Sequence, residues 1–231
     1  YAVDGLWTNV TELPFNSDQF STAHPALSPD EKILYFASNR PDSFGESDIY
    51  KVQINEDGSF GIPVNLGNSI NTIGRESFPS ITEENEIYFA SDGQPGLGGF
   101  DVFVSKINSD GTCTDVQNVG ESVNSAKDDF AYFIDTKTRK GFFSSNRSGG
   151  QGSDDIYQFL ETKRLRCEQE LYGEITDENS KELLPNTTIS LYNKQFDILN
   201  TTVSDSKGNY SLQVDCGQDY YVRAEKPEYN T

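Results

Sequence analysis

The chain has 231 residues, 34% of them hydrophobic, with 15 Phe and 12 Tyr, which is enough apolar material for one large or two small cores and argues against disorder. Its 18 Lys plus Arg against 37 Asp plus Glu give a formal net charge of −19, a field that repels phosphate backbones and anionic headgroups and so disfavours nucleic-acid binding. No stretch approaches the length of an apolar membrane span, so the chain is expected to be soluble, with membrane association only through a lipid anchor or a partner.

Taken in chain order, one unit recurs three times. The copies read ILYFASNRPDSFGESDIYKV, EIYFASDGQPGLGGFDVFVS and KGFFSSNRSGGQGSDDIYQF, with Asp48, Asp101 and Asp155 spaced by 53 and 54 residues, as are Ser38, Ser91 and Ser145. A fixed period of this size without a 3.6-residue apolar pattern predicts stacked all-β units of propeller-blade type rather than a helical solenoid. Within the first unit the expected strands are 24–28, 33–37, 48–53 and a short outer strand near 63–66, with turns at Pro29–Asp30 and Asp57–Gly58. Leu13, Leu66 and Val119 repeat at 53 and 53 ahead of each aromatic pair, so each unit is expected to hold four strands. Three blades are fewer than the four to eight of a closed ring, and the opening on Tyr1 rather than Met reads as a processed or partial chain, so further blades are expected before it.

After Phe159 the pattern changes. The basic stretch 161–167 (ETKRLRC) has no echo at the repeat period, and the residues beyond it alternate apolar and polar between turns at 177–181, 193–196 and 205–208, as in a small sandwich. The domain reading is therefore 1–160 for the blades and 161–231 for a second all-β domain that ends short of its closing strands.

Chemistry-bearing residues are few. The single histidine, His24, stands close to the register of Phe78 and Phe130 and reads as a packing residue, which removes most triads, metal sites and proton relays. No G-x-S-x-G elbow is present. The repeat acids Asp48, Asp101 and Asp155 are expected to accept hydrogen bonds from the preceding loops and lock those turns. Arg40 and Arg147 are expected to pair with acids of the same units. The glycine-rich loops lack the strand-to-helix setting of a phosphate cradle. Their residues Phe44, Gly45, Pro95, Leu97, Gly149 and Gln151 are instead the candidate rim for a protein partner. Neighbouring acids at 128–129 and 154–155 suggest calcium, but adjacent strand residues face opposite ways. No metal, catalytic residue or cofactor is expected. The alternative is a carbohydrate-binding or carbohydrate-active propeller using the repeat acids, although a glycosidase needs two carboxylates at a set separation in a cleft.

The runs LSPDEKILYFASNR and GESDIY resemble the WD40-like (PD40) repeat of TolB-type β-propellers across about residues 24–159. The segments GEITDENSKELLPNTTISLYN and TVSDSKGNYSLQV resemble the carboxypeptidase regulatory-like domain, a prealbumin-like β-sandwich, across about residues 167–231. Asn186 stands where that pattern commonly has Gly, a place Asn tolerates because it accepts positive φ.

The two modules in this order resemble the periplasmic part of OmpA-family lipoproteins of Bacteroidetes, including the PorE-like component of type IX secretion. That resemblance implies a non-enzymatic scaffold in the periplasm, associated with the outer membrane. Its implied partners are an outer-membrane or periplasmic protein complex, such as secretion or gliding machinery, and peptidoglycan through a C-terminal domain not in this chain. Related sandwiches often carry a cysteine at the positions of both Cys167 and Cys216, which implies a disulfide spanning 49 residues and an oxidising compartment. Cys113, placed by the sequence in a turn, is left free or paired outside the chain.

Overall fold

The structure, a computed structural model, describes residues 2–3, 6–7, 9–165, 168–215, 219–227 and 229. The chain divides into two compact units, Tyr1–Thr162 and Lys163–Thr231. Both consist of short antiparallel sheets, and no helix occurs among the described residues.

In the first unit a small hairpin, β1 (Ala2–Val3) and β2 (Leu6–Trp7), precedes three larger sheets. The first runs β3 (Thr22–Leu27), β4 (Ile33–Ser38), β5 (Asp48–Gln53), β6 (Val64–Asn65) in spatial order. The second runs β7 (Glu76–Ile81), β8 (Glu86–Ser91), β9 (Asp101–Ile107), β10 (Cys113–Asn118). The third is β11 (Asp129–Ile134), β12 (Lys140–Ser145), β13 (Asp155–Leu160), and here the expectation of four strands per unit fails. The chain leaves β13 directly for the second unit, and no described strand pairs with the outer edge of β13.

The hairpin turns are closed by acids. Asp30, Asp57, Asp110 and Asp135 each accept a main-chain N–H two residues ahead, at 3.2, 2.9, 2.9 and 2.9 Å, the Asx turn these sequences favour. The Ser28, Ser59 and Thr112 hydroxyls, and at Asp135 the Thr138 amide, are the largest causes holding these carboxyls below their ordinary range. One regularity was invisible in the sequence. The first strand of each of these three larger sheets carries a bulge, between Ala23 and Ala26, Ser77 and Ser80, and Phe130 and Phe133. Its first extra residue is left-handed each time: His24, Phe78 and Ala131, all at φ 53°.

Strand alternation then sends successive side chains to opposite sheet faces. Tyr35, Ala37 and Ile49 of the first sheet meet Ile87, Phe89 and Phe103 of the second in one core. Tyr88, Val102 and Val104 of the second meet Tyr132, Ile134 and Phe143 of the third in the next. Aromatic and aliphatic side chains of this size stabilise by roughly 1.5–3 kcal/mol each when fully buried. Cys113 belongs to the first of these cores, 3% exposed and unpaired at the start of β10, so the sequence placement in a turn is corrected.

The second unit pairs β14 (Glu168–Glu174) with β17 (Asn209–Asp215), and arranges β15 (Thr188–Tyr192) between β16 (Ile198–Val203) and β18 (Tyr221–Glu225). Ile189, Leu191 and Leu212 form its buried centre, flanked by Leu171, Ile175, Tyr210 and Val214. Asn186 adopts φ 54°, the left-handed geometry expected of it. Cys167 and Cys216, the expected disulfide pair, lie outside the described residues.

Candidate partner-binding rim

Three loops, residues 39–47, 92–100 and 146–154, join the second and third strands of successive sheets, each with an acid at its exit. Asp48 accepts the Phe44 and Gly45 amides at 2.7 and 3.2 Å and the Asn65 Nδ2 at 2.6 Å. Asp101 takes the Leu97 and Gly98 amides at 2.8 and 2.9 Å on one oxygen. Asp155 takes the Gln151 amide at 2.8 Å and the Gly152 amide at 3.1 Å. Side chains at Gly96 or Gly150 would collide with the Asp101 or Asp155 carboxylate, so these loops close on their acids only because both residues are glycine. Asp48 and Asp101 are fully buried and Asp155 half-buried.

The loops so fixed present equivalent residues outward. Phe44 is 56% and Leu97 47% exposed, and Gln151, Pro95 and Gly149 are exposed as well. Gly45 is the exception among the expected rim residues. It is half-buried, and its Cα approaches the Thr72 and Gly74 carbonyls so closely that no Cβ fits. Its place is the joint with the next sheet.

A second set of buried acids is present in only two of the three units, so the sequence reading missed Glu76 and took Asp129 only as half of a neighbouring acid pair. Glu76, wholly buried, accepts the Thr72 amide at 2.8 Å, the Thr72 hydroxyl at 2.7 Å and the Ser91 hydroxyl at 2.6 Å. Burial pushes its carboxyl above the ordinary value, against the pull of those hydrogen bonds. Asp129, its equivalent, takes the Ser125 amide and hydroxyl at 2.6 and 2.8 Å and pairs with Arg147 at 2.6 Å. In the first sheet the position is Thr22, whose buried hydroxyl has no described partner. The expected pairing of Arg40 with an acid therefore fails. Its guanidinium lies over the rings of Phe20, Phe36 and Tyr50 at 5.0, 5.3 and 4.9 Å and reaches the Phe15 carbonyl at 3.3 Å.

His24 stacks on Phe78 at 3.8 Å, and Phe78 lies 4.9 Å from Phe130, so the three first strands meet through one aromatic row. Burial lowers the imidazole pKa, which favours its neutral form in this row. The neighbouring acids Asp128 and Asp129 serve different partners, Asp128 accepting the Phe100 amide at 2.9 Å and the Asn146 Nδ2 at 2.8 Å. Among the described residues no group of three or more His, Cys, Asp or Glu is placed to hold a metal ion. In the second unit, Tyr172, Tyr210, Glu170, Glu174, Asp205 and Asn209 line an open groove.

Fold and site together define an all-β protein of small antiparallel sheets whose loops are locked by repeat-equivalent acids. No protein-family model matches the chain, and no curated protein does. Among the described residues no helix is long and apolar enough to cross a membrane.

Proposed function

We propose that residues 1–160 are WD40-like blades of a larger β-propeller and 161–231 a carboxypeptidase regulatory-like sandwich. Together they serve as a non-enzymatic periplasmic scaffold of the OmpA-family type, joining outer-membrane secretion or gliding machinery to peptidoglycan bound by a further domain. The observation that carries this reading is the rim: three loops, each fixed by its own carboxylate, displaying Phe44, Leu97 and Gln151 at equivalent positions. Exposed apolar residues on rigid, acid-locked loops suit protein docking. The same hydrogen bonds occupy the repeat acids, which weighs against the alternative in which those acids bind or cleave a glycan. The test is affinity purification of the full-length protein from its native envelope, with wild type beside Phe44→Asp/Leu97→Asp. Wild type should recover an outer-membrane secretion or gliding component that the variant loses. Equal recovery by both, or no such component with wild type, overturns the reading.

A further inference from the structure

The joints between sheets repeat in atomic detail, and the third sheet carries half of one more. At the first joint, Asn71 grips β5 with its side-chain amide: Oδ1 accepts the Ile49 N–H at 2.8 Å and Nδ2 donates to the Ile49 carbonyl at 3.0 Å. At the second, Asn124 grips Val102 of β9 in the same way, at 2.8 and 2.9 Å. Each clamp is preceded by an apolar residue in the joint core, Ile70 or Val123. Five residues beyond each clamp a first-strand amide closes the joint: Glu76 N–H donates to the Ser47 carbonyl at 2.8 Å, and Asp129 N–H to the Phe100 carbonyl at 2.7 Å.

The repeat register carries Ile49 and Val102 onto Ile156, Ser47 and Phe100 onto Asp154, and Tyr35 and Tyr88 onto Phe142. The earlier members of each apolar series are buried, Ile49 and Val102 at 0% and Tyr35 and Tyr88 at 2% and 1% exposure, whereas Ile156 is 78% and Phe142 45% exposed. Ile156 faces Ser144 across β12 in the register in which Ile49 faces Ala37, so its N–H and C=O point from the open edge of β13. No described group bonds to that edge or to the Asp154 carbonyl.

We propose that the open edge of β13 receives an asparagine clamp from a further repeat of this same polypeptide. That repeat would place an apolar residue on Ile156 and Phe142, an Asn side chain on the Ile156 main chain, and a first-strand amide on the Asp154 carbonyl. The proposal rests on the larger-ring part of the function proposed above and names the contact that extends the ring. Both existing joints are made within one polypeptide, and because the chain leaves β13 for the second unit, the repeat that fills this edge is one from elsewhere in the same polypeptide, as in the closing joint of a ring. A second copy would bring another −19 charges against this face, whereas a tethered repeat meets it at high effective concentration. The chain also carries an apolar–Asn pair ahead of its first sheet: Phe15 stacks on Phe36 at 5.1 Å, and Asn16 beside it, six rather than five residues before the first-strand Thr22, is exposed.

The test is hydrogen exchange on the full-length protein, reading the Ile156 amide against those of Ile49 and Val102, with a photo-crosslinking residue at position 142 in a parallel preparation. Ile156 should exchange within about tenfold of its two equivalents at every protein concentration. The crosslink should fall on a segment of the same polypeptide that carries an apolar–Asn pair. Ile156→Asp should lose protection at β13 while β5 and β9 keep theirs, which separates a broken joint from a failure to fold. Fast exchange at Ile156 overturns the proposal, as does protection lost on dilution, the mark of a second copy. A crosslink to residues 163–231 or to another protein overturns it too. If Ile156 exchanges fast while recovery still depends on Phe44 and Leu97, the clamp is wrong and the scaffold stands.

Discussion

Asp48 and Asp101 occupy the same place in the repeat but use their oxygens differently, and amide substitution should tell them apart. At Asp101 both loop amides, Leu97 and Gly98, converge on Oδ2 at 2.8 and 2.9 Å, while the buried Oδ1 has no described partner. Asp101→Asn can keep its carbonyl oxygen under both amides, and although those two bonds lose their charge assistance as at Asp48, its NH2 takes the place of an oxygen that accepts no described hydrogen bond, so none is broken. At Asp48 both oxygens work: Oδ2 accepts from Phe44 at 2.7 Å and from Asn65 at 2.6 Å, and Oδ1 from Gly45 at 3.2 Å. Asp48→Asn must set its NH2 against the Gly45 N–H, leaving a donor unsatisfied in a buried site and two charge-assisted bonds weakened. The expected cost is about 2–3 kcal/mol for Asp48→Asn and less than about 1 kcal/mol for Asp101→Asn. For a unit of this size that is a Tm loss of roughly 4–12 °C against one of less than about 4 °C. Thermal unfolding by circular dichroism reads the difference, and exchange at the Phe44 amide locates it. Equal losses in the two variants would refute the reasoning, since the loops would then depend on charge alone and not on which oxygen is occupied.

The buried Glu76 has a native pKa raised above its ordinary 4.5, so the native state holds that proton more tightly than the unfolded chain. Its contribution to stability is complete below that value and is lost as pH rises through the raised one. Glu76→Gln removes this loss, and its Tm relative to wild type should climb from pH 4.5 upward; a difference independent of pH would contradict the burial argument. Arg147→Ala strands the buried Asp129 and should cost about 3 kcal/mol in urea unfolding. Arg40→Ala leaves no carboxylate behind and loses mainly its stacking on three rings, roughly 1–2 kcal/mol, so the reverse ranking would contradict these partner assignments. Cys113, buried and with its thiol pushed up chiefly by burial, should resist alkylation until the first unit unfolds. A Cys167–Cys216 bridge closing 49 residues should appear in non-reducing peptide maps, and its reduction should cost about 4 kcal/mol.

What the chain announces and what it conceals divide by the range of the interaction. The Asp locks were legible because each acts on amides three or four residues before it, as Asp48 does on Gly45 and Phe44, so the local string contains both partners. The left-handed Asn186 was legible for the same reason. The bulges at His24, Phe78 and Ala131 were not, because no glycine marks them and their geometry depends on pairing with β4, β8 and β12. Arg40 and Arg147 look equivalent in the repeat and both lie over aromatic rings, yet only Arg147 also binds an acid, Asp129, since the partner strand offers Thr22 in one sheet and an acid in the other. Cys113 read as a turn residue because the packing that buries it comes from the first sheet.

The sequence by itself determined the all-β character, the period of 53 and 54 residues and the residues that close each loop, because alternation and turn chemistry are written within a few positions. Only the tertiary structure decided which acid meets which cation, that the third sheet has three strands, and that asparagine clamps 22 residues from their targets join the sheets. Those contacts join residues some 18 to 22 positions apart across strand pairs and neighbouring sheets, and no pattern within a few positions specifies that.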